Sequence, residues 1–234
     1  MQKLLIISMV LTVLTACSGT AATEAPAAAA TIVPFDLALG APGASSTFAA
    51  YLLLDSSGAR LVGGLRFSNN AAPTPIDAPE RQVWLETVDD TLTASAQQAG
   101  ETRYLGVLAR GTLESPNGAA GYRLRNPVLT PLKWQETTVV TLAEAPAPFA
   151  NAAVRVTGVL MTTASEALLI EQVGPGGVPD PTARQIKLAG PLRDAALLAD
   201  LTATPGGAVR YGMVQVEGVW YGGKLVPLGI RPVR

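Results

Sequence analysis

The chain is 234 residues long and nearly neutral, with 17 basic and 18 acidic residues, so it has neither the electrostatic footprint of a nucleic-acid binder nor a charged tail. It contains no histidine, which excludes Ser-His-Asp and Cys-His catalysis and removes the commonest metal ligand. Its single cysteine, Cys17, excludes an internal disulfide and a thiolate zinc site.

Taken in chain order, the first element is a short apolar leader. Lys3 precedes Leu4-Leu5-Ile6-Ile7, Met9-Val10-Leu11 and Val13-Leu14, and Leu14-Thr15-Ala16 runs directly into Cys17. The apolar stretch falls short of the ~20 residues that a spanning helix needs. A basic start, an apolar stretch and small residues before a cut describe a signal peptide. Leu14-Thr15-Ala16-Cys17 resembles the lipobox of bacterial lipoproteins. That resemblance implies cleavage after residue 16, a diacylglycerol thioether on Cys17 and an acylated amine. It implies a body held at the cell membrane or outer membrane, outside the cytoplasm. One acyl chain binds a membrane only marginally, whereas two or more hold it stably. The competing reading is an ordinary signal peptide, cut elsewhere, with an incidental cysteine.

Residues 17–46 read as the lipidated N-terminus and a flexible tether. Ser18 to Pro26 and the run Ala27 to Ala30 are rich in Ala, Thr and Pro, a composition that buries too little surface to offset its ordering entropy. Ile32-Val33-Pro34-Phe35-Asp36-Leu37 is more apolar and is able to dock on the body.

The body carries an internal echo. Arg60-Leu61-Val62-Gly63-Gly64-Leu65 resembles Arg155-Val156-Thr157-Gly158-Val159-Leu160; Arg81-Gln82-Val83-Trp84-Leu85 resembles Arg184-Gln185-Ile186-Lys187-Leu188; Arg103-Tyr104 resembles Arg210-Tyr211. Order is preserved and the offset grows steadily, as loop insertions in a duplicated unit would produce.

The second half is the easier to read. Val154 to Met161 alternates and is β-rich, and Ala167 to Val173 is a second strand. Gly174 to Pro181 is a loop by composition, and Arg184 to Leu188 a third strand. Pro191 opens a helix reaching Leu201. Val209 to Val219 and Lys224 to Ile230 are two further strands joined at Tyr221-Gly222-Gly223. Three strands, a helix and two strands is an order similar to that of the OB-fold, a small, partly open barrel. The likeness covers about residues 152–232 and rests on element order, not on a signature motif. Another small barrel or sandwich of mixed connectivity is the alternative.

The first half fits the same order less cleanly. Phe48 to Leu54 and Ala59 to Phe67 predict a hairpin, Asn69 to Pro79 a Pro-rich loop, and Arg81 to Glu86 a strand. Asp89 and Asp90 cap a short helix reaching Gln98, followed by strands Arg103 to Leu113 and Gly121 to Leu129. The hairpin makes Arg60 part of a second strand, whereas the echo sets it opposite Arg155 on a first strand, and both cannot hold. Thr137 to Leu142 is an extra strand or an extended connector. The expected fold class is therefore mostly β: two small OB-like β-barrel domains in tandem, each with one short helix, after a signal peptide and flexible tether. The boundaries are 1–16 signal peptide, 17–46 tether, 47–142 first barrel-like domain, 143–151 linker and 152–234 second OB-like domain.

Candidate chemistry is sparse. Asp89-Asp90 offers an adjacent acidic pair for calcium or carboxylate catalysis, but a helix cap explains it as well. Gly174-Pro175-Gly176-Gly177 lacks the Lys-Ser/Thr of a phosphate loop, and its prolines remove amide donors. Tyr104, Arg110, Tyr122, Arg123 and Arg125 form the nearest approach to a basic-aromatic face, which on a barrel holds single strands or oligosaccharides by stacking and charge. The plainer reading is solvated arginines on strands, with tyrosines at the barrel ends. Trp84, Trp134 and Trp220 are expected in core or interdomain packing. The expectation is a membrane-anchored envelope lipoprotein with a non-catalytic binding or assembly role. It calls for no metal, cofactor or nucleic acid. Its partners would be the membrane, through the lipid, and an envelope protein or glycan. The alternative is a carboxylate-based envelope hydrolase acting on glycans, which needs two acidic side chains about 5–10 Å apart.

Overall fold

The computed structural model of the protein describes residues 32–67, 72–116, 121–189, 192 and 194–233. The leader, Cys17 and the first part of the tether lie outside the described residues, as do Asn69, Asn117-Gly118 and Pro191. The described residues are mostly β. In order they form β1 (Ile32–Val33), α1 (Phe35–Leu39), β2 (Ser45–Asp55), β3 (Gly58–Val62), β4 (Leu65–Arg66), β5 (Thr74–Pro75) and β6 (Val83–Trp84). There follow α2 (Asp90–Ser95), β7 (Gln97–Ala99), β8 (Thr102–Glu114), β9 (Tyr122–Pro131), β10 (Gln135–Thr138) and α3 (Val139–Glu144). The remainder is β11 (Ala153–Thr162), β12 (Ala167–Ile170), β13 (Gln185–Lys187), α4 (Ala195–Asp200), β14 (Thr202–Ala203), β15 (Arg210–Tyr221) and β16 (Lys224–Pro232).

The first sheet closes on itself. β2 pairs antiparallel with β3 and with β8, β3 with β6, and β8 with β9, while β6 and β9 run parallel. Five strands therefore make a barrel in the order β2-β3-β6-β9-β8. Phe48, Ala50, Leu52, Leu61, Val107, Ala109 and Leu113 fill it. The period-2 pleat puts Val107 and Ala109 inside and Tyr104 and Arg110 outside along β8. β2 breaks the alternation, because Phe48 to Leu53 is buried residue by residue. Its even-numbered residues face the barrel interior, and Ala49, Tyr51 and Leu53 face the second sheet. A continuous apolar run is the sequence counterpart of burial on both faces.

The second sheet is built around β11, which pairs with β12 and β15 antiparallel and with β10 in parallel. β15 continues to β16, and β12 to β13. One parallel bridge, Leu188 to Leu225, joins the end of β13 to β16, with Ala189 N–H donating to the Leu225 carbonyl at 2.8 Å. Val154, Val156, Leu160, Leu169, Val216, Trp220 and Leu225 form its core. The β15–β16 turn uses Gly222 and Gly223 at φ of 57° and 74°, a left-handed pair suited to a tight hairpin. β4 and β5 come from the first half of the chain but add to the free edge of β16.

Several expectations change. Residues 32–46 are expected within the tether, with Ile32 to Leu37 able to dock; in the structure Ile32, Phe35, Ala38 and Leu39 are buried against the body. They anchor through β1–β2 pairing and through Phe35, which stacks edge-on against Phe48 at 5.7 Å. Gly63 leaves room for that ring, since any β-carbon there would collide with Phe35. Residues 135–144, expected at the end of the first domain and in the linker, join the second sheet instead: β10 lies on β11, and Val139 and Leu142 enter the second core. Thr138 ends β10 and starts α3, its hydroxyl accepting from Thr141 N–H at 3.1 Å. The strand expected over Arg81 to Glu86 shrinks to Val83–Trp84, because Pro79–Arg81 takes a 3-10 turn. The helix expected to reach Gln98 stops at Ser95, and Gln97–Ala99 pairs with β8.

The echo is kept in part. Val83–Trp84 follows the β2–β3 hairpin and pairs with β3, as Gln185–Lys187 follows the β11–β12 hairpin and pairs with β12, and Arg103-Tyr104 and Arg210-Tyr211 lie at the beginning of the long strand after the helix. At each of these starts a short strand pairs back onto the Arg-Tyr pair: β7 in one case, β14 in the other. Arg60 and Arg155 do not correspond, because Arg60 lies on β3, the second strand of its hairpin with β2, and Arg155 on β11, the first strand of its hairpin with β12.

Candidate functional site

The outer face of β2 and β8 meets the outer face of β15 and β16. Ala49, Tyr51, Leu53, Val62, Leu65, Val219 and Leu228 form a third buried cluster there. Set within it is Glu217, whose side chain is 3% exposed. A carboxylate so placed needs several donors to offset its lost hydration. Arg155 supplies Nε at 2.9 Å and a second nitrogen at 2.7 Å, Arg231 a nitrogen at 3.2 Å, and the Tyr51 hydroxyl donates to Oε2 from across the seam. Burial, followed by the Glu217 charge and hydrogen bond, pushes the Tyr51 phenol well above its ordinary value, with Arg231 acting in the other direction. Burial works against the Arg155 charge, but hydrogen bonds to Glu136 and Glu217 leave its pKa raised.

Aromatic rings wall this polar cluster. Tyr51 lies 5.9 Å from Phe67, 6.4 Å from Tyr104 and 6.5 Å from Trp134. The Arg231 guanidinium sits 3.7 Å from the Phe67 ring centre and that of Arg155 5.7 Å from Trp134. Arg231 Nε is buried without a hydrogen-bond partner.

Along the same seam lies a cavity of about 360 Å³. One wall is the N-terminal segment, Ile32 to Leu37; others are Ala49, the Gly63-Gly64 pair, Val219 and the Val226 to Ile230 stretch of β16. Its lining is predominantly apolar. Three carboxylates border it and all hold bonds: Asp36 pairs with Arg81 at 2.5 Å, Asp77 accepts from Gly63 and Gly64 N–H at 2.7 and 3.1 Å, and Asp194 pairs with Arg66 at 2.6 Å while capping α4. A shallower hollow of about 620 Å³ separates α2 from β9, around Thr87, Asp89 and Pro127 to Pro131.

The residues singled out from the sequence are not brought to one face. Tyr104 is drawn into the aromatic wall of the seam. Tyr122 packs its ring against the barrel core. Arg110, Arg123 and Arg125 are exposed on the outside of β8 and β9; Arg123 lies 3.5 Å from Glu86 and Arg125 2.5 Å from Glu114. Asp89 is an N-cap: its carboxylate accepts from Thr91 N–H at 2.7 Å and from the Thr91 hydroxyl at 2.6 Å, bonds that lower its pKa. Trp220 is in the second core, Trp134 in the seam, and Trp84 beneath Arg60 on the barrel wall at 5.3 Å. Among the described residues no group of three or more acidic side chains is placed to hold a metal ion, and no helix is long and apolar enough to cross a membrane.

Sequence reasoning missed Tyr51, Arg155, Glu217 and Arg231. The available signal was the run Phe48 to Leu53, which demands a partner for its outer face. No family model matches the chain, and neither a curated protein nor a solved structure does.

Proposed function

We propose that the protein is a lipid-anchored envelope protein with a non-catalytic binding role, built from two OB-like units held back to back. The strand order first-second-third-fifth-fourth, a helix between the third and fourth strands and a parallel third–fifth contact recur in both halves, which supports the tandem reading. The first sheet satisfies that order as a closed barrel and the second through the Leu188–Leu225 bridge. The observation that carries the binding role is the seam itself, where an apolar cavity is bounded by rigid strands and by a docked N-terminal segment. Concave, mostly apolar sites with a few placed polar groups are where small ligands bind. A glycan hydrolase would use free carboxylates in this cleft, whereas Asp36 is paired with Arg81, Asp77 is committed to backbone amides, and Asp194 to backbone amides and Arg66.

Anchoring is tested by expressing the full chain with Cys17→Ser and fractionating cells. The expected result is a folded protein released from membranes, with the wild type retained there and carrying an acyl mass on Cys17. Retention of the variant, or its failure to fold, would refute the anchor.

A further inference from the structure

The geometry points to the seam cavity as a binding site for one alkyl chain of a bilayer lipid. The inference rests on the anchoring reading above, because the anchor is what keeps the cavity near a bilayer. Roughly fifteen residues lie between Cys17 and Ile32, a fully extended reach of about 50 Å. Ile32, the first described residue, already lines the cavity, so the wall nearest the anchor is itself part of the site.

Size and chemistry favour an alkyl chain. A methylene occupies about the 30 Å³ share of a liquid water molecule, so 360 Å³ accommodates a chain of about a dozen carbons. Ile32, Phe35, Ala49, Val219, Leu228 and Ile230 supply apolar contact along its length. Few polar groups remain for a sugar or peptide: the amides of Gly63 and Gly64 are taken by Asp77, Asp36 is paired with Arg81, and Asp194 is taken by Arg66 and the first amides of α4. Leu37, 61% exposed, puts apolar surface at the solvent side of the same wall.

The test uses the purified full chain with Cys17→Ser and a fluorescent single-chain probe, 11-(dansylamino)undecanoic acid, displaced by normal alcohols from hexanol to hexadecanol. Competition should strengthen about fourfold for each added methylene, then level off near twelve carbons, where the cavity is full. Val226→Trp, at a half-buried wall position, and Ala49→Phe, deeper in, should each abolish probe binding while retaining a cooperative thermal transition. Two cavity-filling changes are used so that a folding failure in one leaves the other to decide. Affinity that keeps climbing past sixteen carbons, or that survives both fillings in folded protein, overturns the site. Acylated wild type is run beside the variant and should bind the probe equally. If it refuses a probe that the variant accepts, the occupant is the protein's own Cys17 acyl chain and the bilayer source is wrong. Intact mass of the membrane-purified protein reads anchoring separately: an unmodified Cys17 removes the anchor and the bilayer source together, whatever the alcohols show.

Discussion

The barrel presents two outer faces built from neighbouring strands, and they behave as different materials. Outside β2 and β8, Ala49, Tyr51, Leu53, Tyr104 and Leu108 pack on the second sheet. Outside β9, Arg123, Arg125, Val128 and Thr130 meet solvent, with Val128 60% exposed. Arginine–carboxylate pairs lie against both faces, contributed by the second sheet at the seam and by the barrel itself outside β9, in opposite dielectric settings. Arg155 and Arg231 converge on a carboxylate removed from water, whereas Arg123–Glu86 and Arg125–Glu114 are open to it. The same chemistry is therefore structural in one place and nearly neutral in the other. Exposed pairs contribute little, and a buried carboxylate becomes very costly once its partners are mismatched.

The largest effect should come from breaking the buried side. Glu217→Ala leaves Arg155 and Arg231 facing each other and the Tyr51 hydroxyl without an acceptor. A loss of about 3–5 kcal/mol in urea unfolding is expected. A loss below ~1 kcal/mol would show that water reaches the seam.

Tyr51→Phe is milder, about 1–3 kcal/mol, because it removes one donor and leaves both arginines on Glu217. It also carries a pH signature. The native phenol holds its proton above the ordinary value of 10.0, so Tyr51 contributes stability that is fully present below pH 10 and is lost as pH rises through the native pKa. Alkaline unfolding curves should therefore fall more steeply for the wild type than for Tyr51→Phe. Parallel curves would place the tyrosine in contact with solvent.

On the barrel wall, Asp55 makes a two-point bond to Arg60 at 2.6 and 2.8 Å. The Arg60 hydrogen bond holds the Asp55 carboxyl below its ordinary 3.8, which gives stability present above that value and lost as pH falls through the native pKa. Asp55→Asn should cost about 1–2 kcal/mol at neutral pH and flatten the acid limb below pH 4, read by circular dichroism.

The smallest effect is expected at the solvent face. Arg123→Ala and Arg125→Ala should each shift stability by less than ~0.5 kcal/mol, and by less still at high salt. A shift beyond 1 kcal/mol at either position would mean that the two faces are not the contrast described.

Element type was legible in the sequence wherever local chemistry decides it. The strands over β8, β9, β11, β15 and β16 follow from β-rich alternation, the β15–β16 turn from Gly222-Gly223, and the α2 cap from Asp89. Lengths were less legible where loops intrude, as at β6, which Pro79–Arg81 shortens. The candidate site was almost illegible. In Val214-Gln215-Val216-Glu217-Gly218-Val219 the glutamate reads as a solvated position on an alternating strand. Only the sheet packed over it makes it buried.

By itself, then, the sequence determined a mostly β chain without histidine, with one cysteine beside an apolar leader and a continuous apolar run at Phe48 to Leu53. It offered a dockable segment at Ile32 to Leu37 but could not say where that segment packs, that β4 and β5 extend the second sheet, or that β10 leaves the first half for β11. Those outcomes depend on which edges and faces are left unpaired once each sheet has formed. Periodicity records whether a face is apolar; the assembled sheets decide what covers it.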